Sequence, residues 1–402
     1  MTLSTTASRL RSSRALRLGV AIGLGVTARA IVNRATANTP PGLVDWERAE
    51  RMAHRRLRRV PGRLTRAQLR AVEPAYARHM DAVVPLLEER LGSALPGVVE
   101  RHGVVSREEW ATANMETFRA LIGHLEPHLG LRLPEGSARA GVAAATNRLV
   151  TTGQVGLLLG YLGSRVLGQY DVALLSAEHE PGKLLYVEEN IRATARLVGV
   201  PVHDFRLWVA LHETTHAFEL EAHPWLRPYI RERLERQVAL FARETRRLQR
   251  YGFVHLARRW RSAAGGGSLR DLFSGPEQQR LFAEIQAVMS LMEGFSDWVM
   301  DEVGAELLPD VPAIRRRFEA RRGQRRRAID RLMARLTGMD MKLEQYRRGE
   351  RFVAGVYRVG GSAAIAHLWD GPETLPSAAE MDDPTAWVRR VVPEAIEPGG
   401  LT

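Results

Sequence analysis

Two histidines and a glutamate near the middle of the chain are spaced for metal chemistry. They stand in the order His212-Glu213-Thr-Thr-His216. Residues four apart on an α-helix lie one above the other, ~6 Å apart, so two imidazoles at this spacing can share one Zn²⁺ at about 2.0–2.1 Å each. Glu213 follows about 100° round the helix, where its carboxylate can reach a water on the metal and act as a general base. The pattern therefore indicates a metal centre that activates water.

The residues around this pattern predict that its helix is buried. The flanking apolar positions are Phe205, Leu207, Trp208, Val209, Leu211, Ala217, Phe218 and Leu220. A helix that is apolar nearly all round belongs in a core, and ionisable groups buried there need partners. Asp204 is expected to cap the start of this helix. The alternative interpretation is a core helix whose histidines merely hydrogen-bond to neighbouring groups.

A catalytic zinc site has three protein ligands and one open position, so a third ligand must come from elsewhere. Glu219 and His223 share the helix face of His212, but Glu219 is about 10 Å along the axis, too far for one ion on a straight helix. Metzincins use a glycine to turn the chain before a third histidine, but Glu219 occupies that glycine position and His223 is one residue out of register. The remaining candidate, Glu293, lies beside the apolar face of a helix expected to begin near residues 274–276, where a carboxylate must be paired or coordinated.

Asp297 follows Glu293 at the i,i+4 spacing. This Glu-x-x-x-Asp pair resembles the gluzincin pattern, in which the glutamate is the third zinc ligand and the aspartate orients a ligating histidine. The resemblance implies those two roles for Glu293 and Asp297. A partly exposed helix face is the alternative explanation for both carboxylates.

Several separate segments resemble one bacterial zincin-like family. They are His212–His216, Glu293-Gly294 with Asp297, Val166–Asp171, Gln345–Val353 and Pro372–Pro376. The resemblance extends from about Val44 to the end of the chain. Members of the family are described as zinc-dependent metalloproteases or as uncharacterised proteins associated with coenzyme biosynthesis. Membership implies a mostly helical zincin fold with His212, His216 and Glu293 as ligands, and it assigns no substrate.

Composition narrows the choice of metal ligands and partners. The 402 residues include no cysteine, 45% are hydrophobic, and the formal net charge is +12. Disulfides and thiolate sites are excluded, so a zinc ion must be held by histidine and carboxylate. The arginine excess can attract an anionic membrane or nucleic acid, but no nucleic-acid-binding motif accompanies it. Solvated arginine-rich faces are the favoured interpretation, and no nucleic-acid partner is expected.

Residues 1–42 are predicted to form a flexible basic extension. The apolar run Leu18–Ala28 within it is too short to span a bilayer, which needs about 20 residues, although it faintly resembles a signal peptide. We expect a cytoplasmic protein with at most weak peripheral membrane contact through this extension. Membrane association or export through the same segment is the alternative.

The rest of the sequence predicts a mainly α, zincin-like fold with an active-site helix and at most a small β-sheet. One domain is expected over residues 43–395, with a helical part at 43–180 and a metal-site part at 181–370. The oligomeric state is left open.

Two further segments bear on this fold. Gly156 and Gly160 have the small-residue spacing of closely packed helices, which favours a buried core helix over a membrane segment. Leu184–Val187 is predicted to be a strand. Either Leu184–Asn190 forms an edge that pairs with an extended peptide beside the metal, or the strand is a short connection.

Three functions fit these features. The leading hypothesis is zinc-dependent hydrolysis of a peptide or another amide, with one Zn²⁺ per chain and Glu213 as the general base. The candidates for stabilising the developing oxyanion are Tyr346, Tyr357 and His367. The alternative is a zincin-like metal-binding scaffold without significant peptidase activity that acts as a binding or regulatory protein. A basic, non-enzymatic protein acting at a membrane or nucleic acid is the third, and it leaves the metal-ligand set unexplained.

Overall fold

The helices and strands below come from a computed structural model. It describes residues 42–95, 97–129, 138–171, 182–237, 239–240, 243, 275–324 and 339–395. All but the last residue of the predicted basic extension, 1–42, lies outside the described residues.

The described part of the chain is mainly helical with one small sheet, as the sequence predicts. Its labelled helices are α1 (Trp46–Leu57), α2 (Arg66–Arg70), α3 (Glu73–Leu91), α4 (Arg107–Leu129), α5 (Ala138–Leu162), α6 (Glu188–Val198), α7 (Val202–Glu221), α8 (Pro276–Glu302), α9 (Gly304–Leu307), α10 (Val311–Gln324), α11 (Met339–Ala366) and α12 (Pro384–Val391). The strands are β1 (His102–Val105), β2 (Gly168–Asp171) and β3 (Lys183–Val187). Residues 226–237 are also helical.

The sheet places β3 in its centre. The strand order is β1-β3-β2, with β1 parallel and β2 antiparallel to β3. Because both sides of β3 are already paired, the expectation that Leu184–Asn190 forms a substrate-pairing edge strand is wrong. The last three residues of that segment, 188–190, already belong to α6. In the described sheet, the strand that forms an edge close to α7 is β2.

Helix α7 runs through the middle of the fold. It packs against α3, α6, α8 and β2, which is why its sequence is apolar on nearly every side. The residue at its N-cap is Pro201, so Asp204 is not the cap that the sequence predicts. Asp204 lies instead in the first turn, where a carboxylate interacts favourably with the helix dipole. The chain leaves the helix at Ala222, just before Pro224, which cannot continue it.

Helices α8 and α11 cross with their backbones in contact. An ideally placed Cβ on Gly349 of α11 would lie 1.8 Å from the carbonyl oxygen of Ser290, and one on Gly294 of α8 would lie 2.3 Å from the carbonyl carbon of Gly349. Only glycine allows so close an approach at these two positions. Because Gly294 directly follows Glu293, this crossing fixes the place from which α8 presents the Glu293 side chain.

The glycines of α5 serve a second close contact, with α1. A Cβ on Gly156 would lie 2.7 Å from the carbonyl oxygen of Ala49, and one on Gly160 would lie 2.8 Å from Cδ of Arg56. The predicted role of this spacing in close helix packing is confirmed. Among the helices of the described residues, none combines the length and the apolar character of a membrane span.

Strand β3 joins two clusters of buried apolar residues. Leu184 and Tyr186 belong to the larger cluster, which includes α3, α7, α8 and α11, whereas Leu185 and Val187 belong to a smaller cluster with α1, α4 and α5. Successive side chains of a strand point to opposite faces, so one short strand supports both cores. The organisation of residues 43–395 as one domain stays a prediction.

The close crossing makes a stability prediction. Gly349→Ala forces α8 and α11 apart, and we expect the free energy of unfolding to fall by at least about 2 kcal/mol, measured by urea denaturation. The control is Gly123→Ala on α4, where a Cβ meets nothing within 4 Å. That control should leave stability unchanged or raise it by up to about 1 kcal/mol. Equal stability of the Gly349→Ala variant and the wild type would contradict the described crossing.

Candidate metal centre

Three side chains from two helices converge where α7 meets α8. The ligand atoms of His212, His216 and Glu293 all lie within 4.8 Å of one another, and Nε2 of His212 is 4.0 Å from Oε2 of Glu293. The two imidazole rings are 4.7 Å apart between centroids, with their planes at 79°. Each side chain keeps between 16 and 24% of its surface exposed. The cluster is therefore embedded in the protein but reachable from solvent.

Glu213 is placed beside this cluster by β2. Its side chain is buried under the strand, and a Cβ on Gly168 would lie 2.5 Å from Cγ of Glu213. The backbone N–H of Tyr170 donates a hydrogen bond to the Glu213 carboxylate. Burial raises the pKa of Glu213 to about 7, against the opposing effect of His216 and with a contribution from Glu293. A carboxylate with that pKa can take up and release a proton near neutral pH.

His216 contacts Glu219, a residue that sequence reasoning considered only as a third ligand. Nδ1 of His216 lies 2.8 Å from Oε2 of Glu219. If Nδ1–H donates to this carboxylate, Nε2 is the nitrogen left for a metal. The i,i+3 spacing of the two residues on α7 was the signal available in the sequence. Burial lowers the pKa of His216, but Glu219, with Glu293 and Glu213, outweighs that effect and raises it to about 10.

The structure places Asp297 against Arg315 of α10. Nη2 of Arg315 lies 3.4 Å from Oδ1 of Asp297 and donates to its backbone carbonyl at 2.6 Å. The same guanidinium contacts Asp301 at 2.9 Å and Glu350 at 3.2 Å. Burial raises the pKa of Asp297 to about 7 in spite of Arg315. The role of Asp297 in orienting a ligating histidine stays a prediction.

His223, the other alternative ligand, lies apart from the cluster. Its Nδ1 is 3.0 Å from the carbonyl oxygen of Glu219, and its ring packs against Phe218 and Trp369. Within the described residues, the grouping of possible metal ligands contains Glu293 and neither Glu219 nor His223. The geometry therefore favours Glu293 over both alternatives.

The candidates for oxyanion stabilisation are scattered. Tyr357 packs against Trp298 with ring centroids 5.5 Å apart, and Nδ1 of His367 lies 2.5 Å from Oδ2 of Asp370. The side chain of Tyr346 lies outside the described residues. No role follows for any of the three from these contacts.

The donor set suits a divalent cation. Imidazole nitrogen and carboxylate oxygen are both ordinary zinc donors, and donors bound at about 2.0–2.1 Å in a tetrahedral site lie ~3.4 Å apart. In addition, three carboxylates, Glu213, Glu219 and Glu293, surround two imidazoles. This excess of negative charge in a largely buried place favours a bound cation.

A model of the family described as zincin-like metallopeptidases matches residues 44–388. The chain belongs to the zincin-like metallopeptidase family. This confirms the resemblance inferred from the sequence motifs and the mainly α, zincin-like fold class. The family supports a metal-dependent enzyme of the hydrolase class.

One solved structure similar to this zincin-like protein comes from Chloroflexus aurantiacus and is provisionally described as a hydrolase with a novel fold. The two chains are 36% identical, and the similarity covers 87% of this chain and 98% of the other, with a TM-score of 0.64. No curated protein matches the chain. The hydrolase description agrees with the family and adds no substrate.

The geometry of the three candidate ligands makes a prediction about metal content. We expect about one zinc per wild-type chain by elemental analysis, because three protein donors complete a catalytic site. Glu293→Ala should lose most of this zinc. The control is Glu302→Ala, which removes an exposed carboxylate from the same helix and should keep it. Full zinc content in Glu293→Ala would exclude Glu293 as a ligand.

Proposed function

We propose that this zincin-like protein is a zinc-dependent hydrolase that cleaves peptide bonds, with Glu213 as the general base. The observation that carries the proposal is the convergence of His212, His216 and Glu293 at a partly exposed site with a buried carboxylate beside it. The family supports hydrolysis of this class.

Each residue of the proposed site has one task. His212, His216 and Glu293 would hold the metal. A bound zinc ion supplies Lewis acidity, which polarises a carbonyl group and lowers the pKa of water towards about 7. Glu213 accepts a proton from the attacking water and then donates it to the leaving amine. A buried carboxylate beside the metal ligands suits both transfers, because it can accept a proton from water and pass it to the leaving amine.

We place the substrate along β2. This strand forms an edge of the described sheet and touches Glu213 through Gly168 and Tyr170. An extended peptide can add to a sheet edge by main-chain hydrogen bonds. A peptide bound in this way would bring one of its own peptide bonds close to the general base. Strand β3 is paired on both sides, so it has no free edge for a peptide.

The role of Glu213 predicts a separation of metal binding from turnover. Glu213→Gln preserves the shape of the side chain but removes its basicity, so zinc content should be unchanged while kcat on a peptide library falls about 10²–10⁴-fold. Glu302→Gln is the matched control and should keep wild-type turnover. Wild-type turnover in Glu213→Gln would refute the assigned role. Absence of turnover in zinc-loaded wild type would favour a metal-binding scaffold instead.

The packing of β2 on Glu213 gives a second prediction. In Gly168→Ala the added methyl group must displace the Glu213 side chain, because its ideal position is 2.5 Å from Cγ. We expect kcat to fall at least about tenfold, as misplacing a catalytic group by about 1 Å can cost 10²-fold, with zinc content retained. Gly123→Ala, remote from the site, serves as the control. Unchanged kcat in Gly168→Ala would mean that β2 does not position the base.

A further inference from the structure

We propose that Glu219 is the positioning residue of the metal centre and holds His216 in the tautomer and orientation that present Nε2 to the metal. The inference rests on the proposed function and deepens it. Glu219 itself would not bind the metal.

The contact geometry is suited to this task. Oε2 of Glu219 lies 2.8 Å from Nδ1 of His216, and Oγ of Ser296 on α8 lies 3.3 Å from the same nitrogen. An imidazole that donates through Nδ1–H has its lone pair on Nε2, and a carboxylate acceptor on the far nitrogen also makes the imidazole a stronger ligand. Because Glu219 and His216 are three residues apart on α7, the helix itself maintains their separation.

The burial of Glu219 supports a role in the site. Its side chain is fully buried, and Oε1 has no hydrogen-bond partner within the described part of the protein. Burying a carboxylate that is satisfied on one oxygen alone costs stability. Glu188 is equally buried, but both of its oxygens are occupied, since Tyr76 donates to it at 2.8 Å and Arg206 forms an ion pair with it. The burial of Glu188 is therefore explained by its contacts with Tyr76 and Arg206, whereas Glu219 forms its hydrogen bond with a candidate metal ligand.

This assignment departs from the gluzincin pattern. In that pattern the orienting carboxylate is the aspartate four residues after the third ligand, which is Asp297 here. Asp297 instead contacts Arg315, at 3.4 Å through its carboxylate. The carboxylate in hydrogen-bond contact with His216 comes from α7, the helix that carries His216 itself.

The test measures zinc affinity of the folded, metal-free protein by competition with a chelator, together with the melting temperature of the metal-free form. Glu219→Ala should bind zinc about 10–100-fold more weakly, the usual effect of losing a partner of a metal ligand. Glu219→Gln should bind more tightly than Glu219→Ala, because its amide oxygen can still accept from Nδ1–H. The matched control, Glu188→Gln, should melt at a lower temperature and keep wild-type zinc affinity.

The outcomes separate this inference from the proposed function. Wild-type zinc affinity in Glu219→Ala would overturn the positioning role and leave the proposed hydrolase intact. Failure of the wild type to bind zinc would overturn both. Should Glu219→Ala not fold, long-range ¹H–¹⁵N spectra of the zinc-loaded wild type decide the matter: a proton on Nδ1 of His216 supports the inference, and a proton on Nε2 overturns it.

Discussion

The candidate metal centre depends on one close contact between backbones, the crossing of α8 and α11 at Gly294 and Gly349. Glu293 can approach the two histidines of α7 only if α8 is held at a fixed depth and rotation. The crossing fixes both the depth and the rotation of α8, because each helix has a glycine at the contact and no side chain separates the two backbones. The apolar residues around this crossing, including Phe295 and Phe352, are fully or almost fully buried and hold the contact in place.

The second constraint is electrostatic. Glu213 and Glu219 are buried close to Glu293, and burial raises the pKa of each of the two to about 7. Such a concentration of carboxylates disfavours folding unless a positive charge accompanies it. Glu219, Glu293 and Glu213 raise the pKa of His216 to about 10 and so favour its charged form. The buried carboxylates that destabilise the fold also favour cation binding, and one of them, Glu213, is the proposed general base.

Sequence reasoning succeeded where the relevant geometry is local. The shared helix face of His212 and His216, and the position of Glu213 beside them, follow from the period of the α-helix alone. Glu293 was reached through the cost of a carboxylate beside an apolar face and through resemblance to the gluzincin pattern. The structure brings it to the histidines.

The sequence did not reveal contacts that depend on pairing between distant segments. The central position of β3 depends on β1 and β2, which both precede it in the chain by more than ten residues, and the edge strand beside the site proved to be β2. The meeting of Gly294 with Gly349 is likewise invisible until the two helices are placed in space. For Glu219, the sequence argument considered its distance from His212 and not its distance from His216.

The crossing of α8 and α11 has a consequence for biosynthesis. A protein is made from its N-terminus, and the histidines of α7 leave the ribosome long before Gly349. Until Gly349 has been synthesised, α8 cannot form its backbone contact at Gly294, and Glu293 is not held beside the histidines. A nascent chain that has not reached Gly349 thus carries the histidine pair without the completed centre, and the proposed hydrolytic activity arises only after Gly349 has been synthesised.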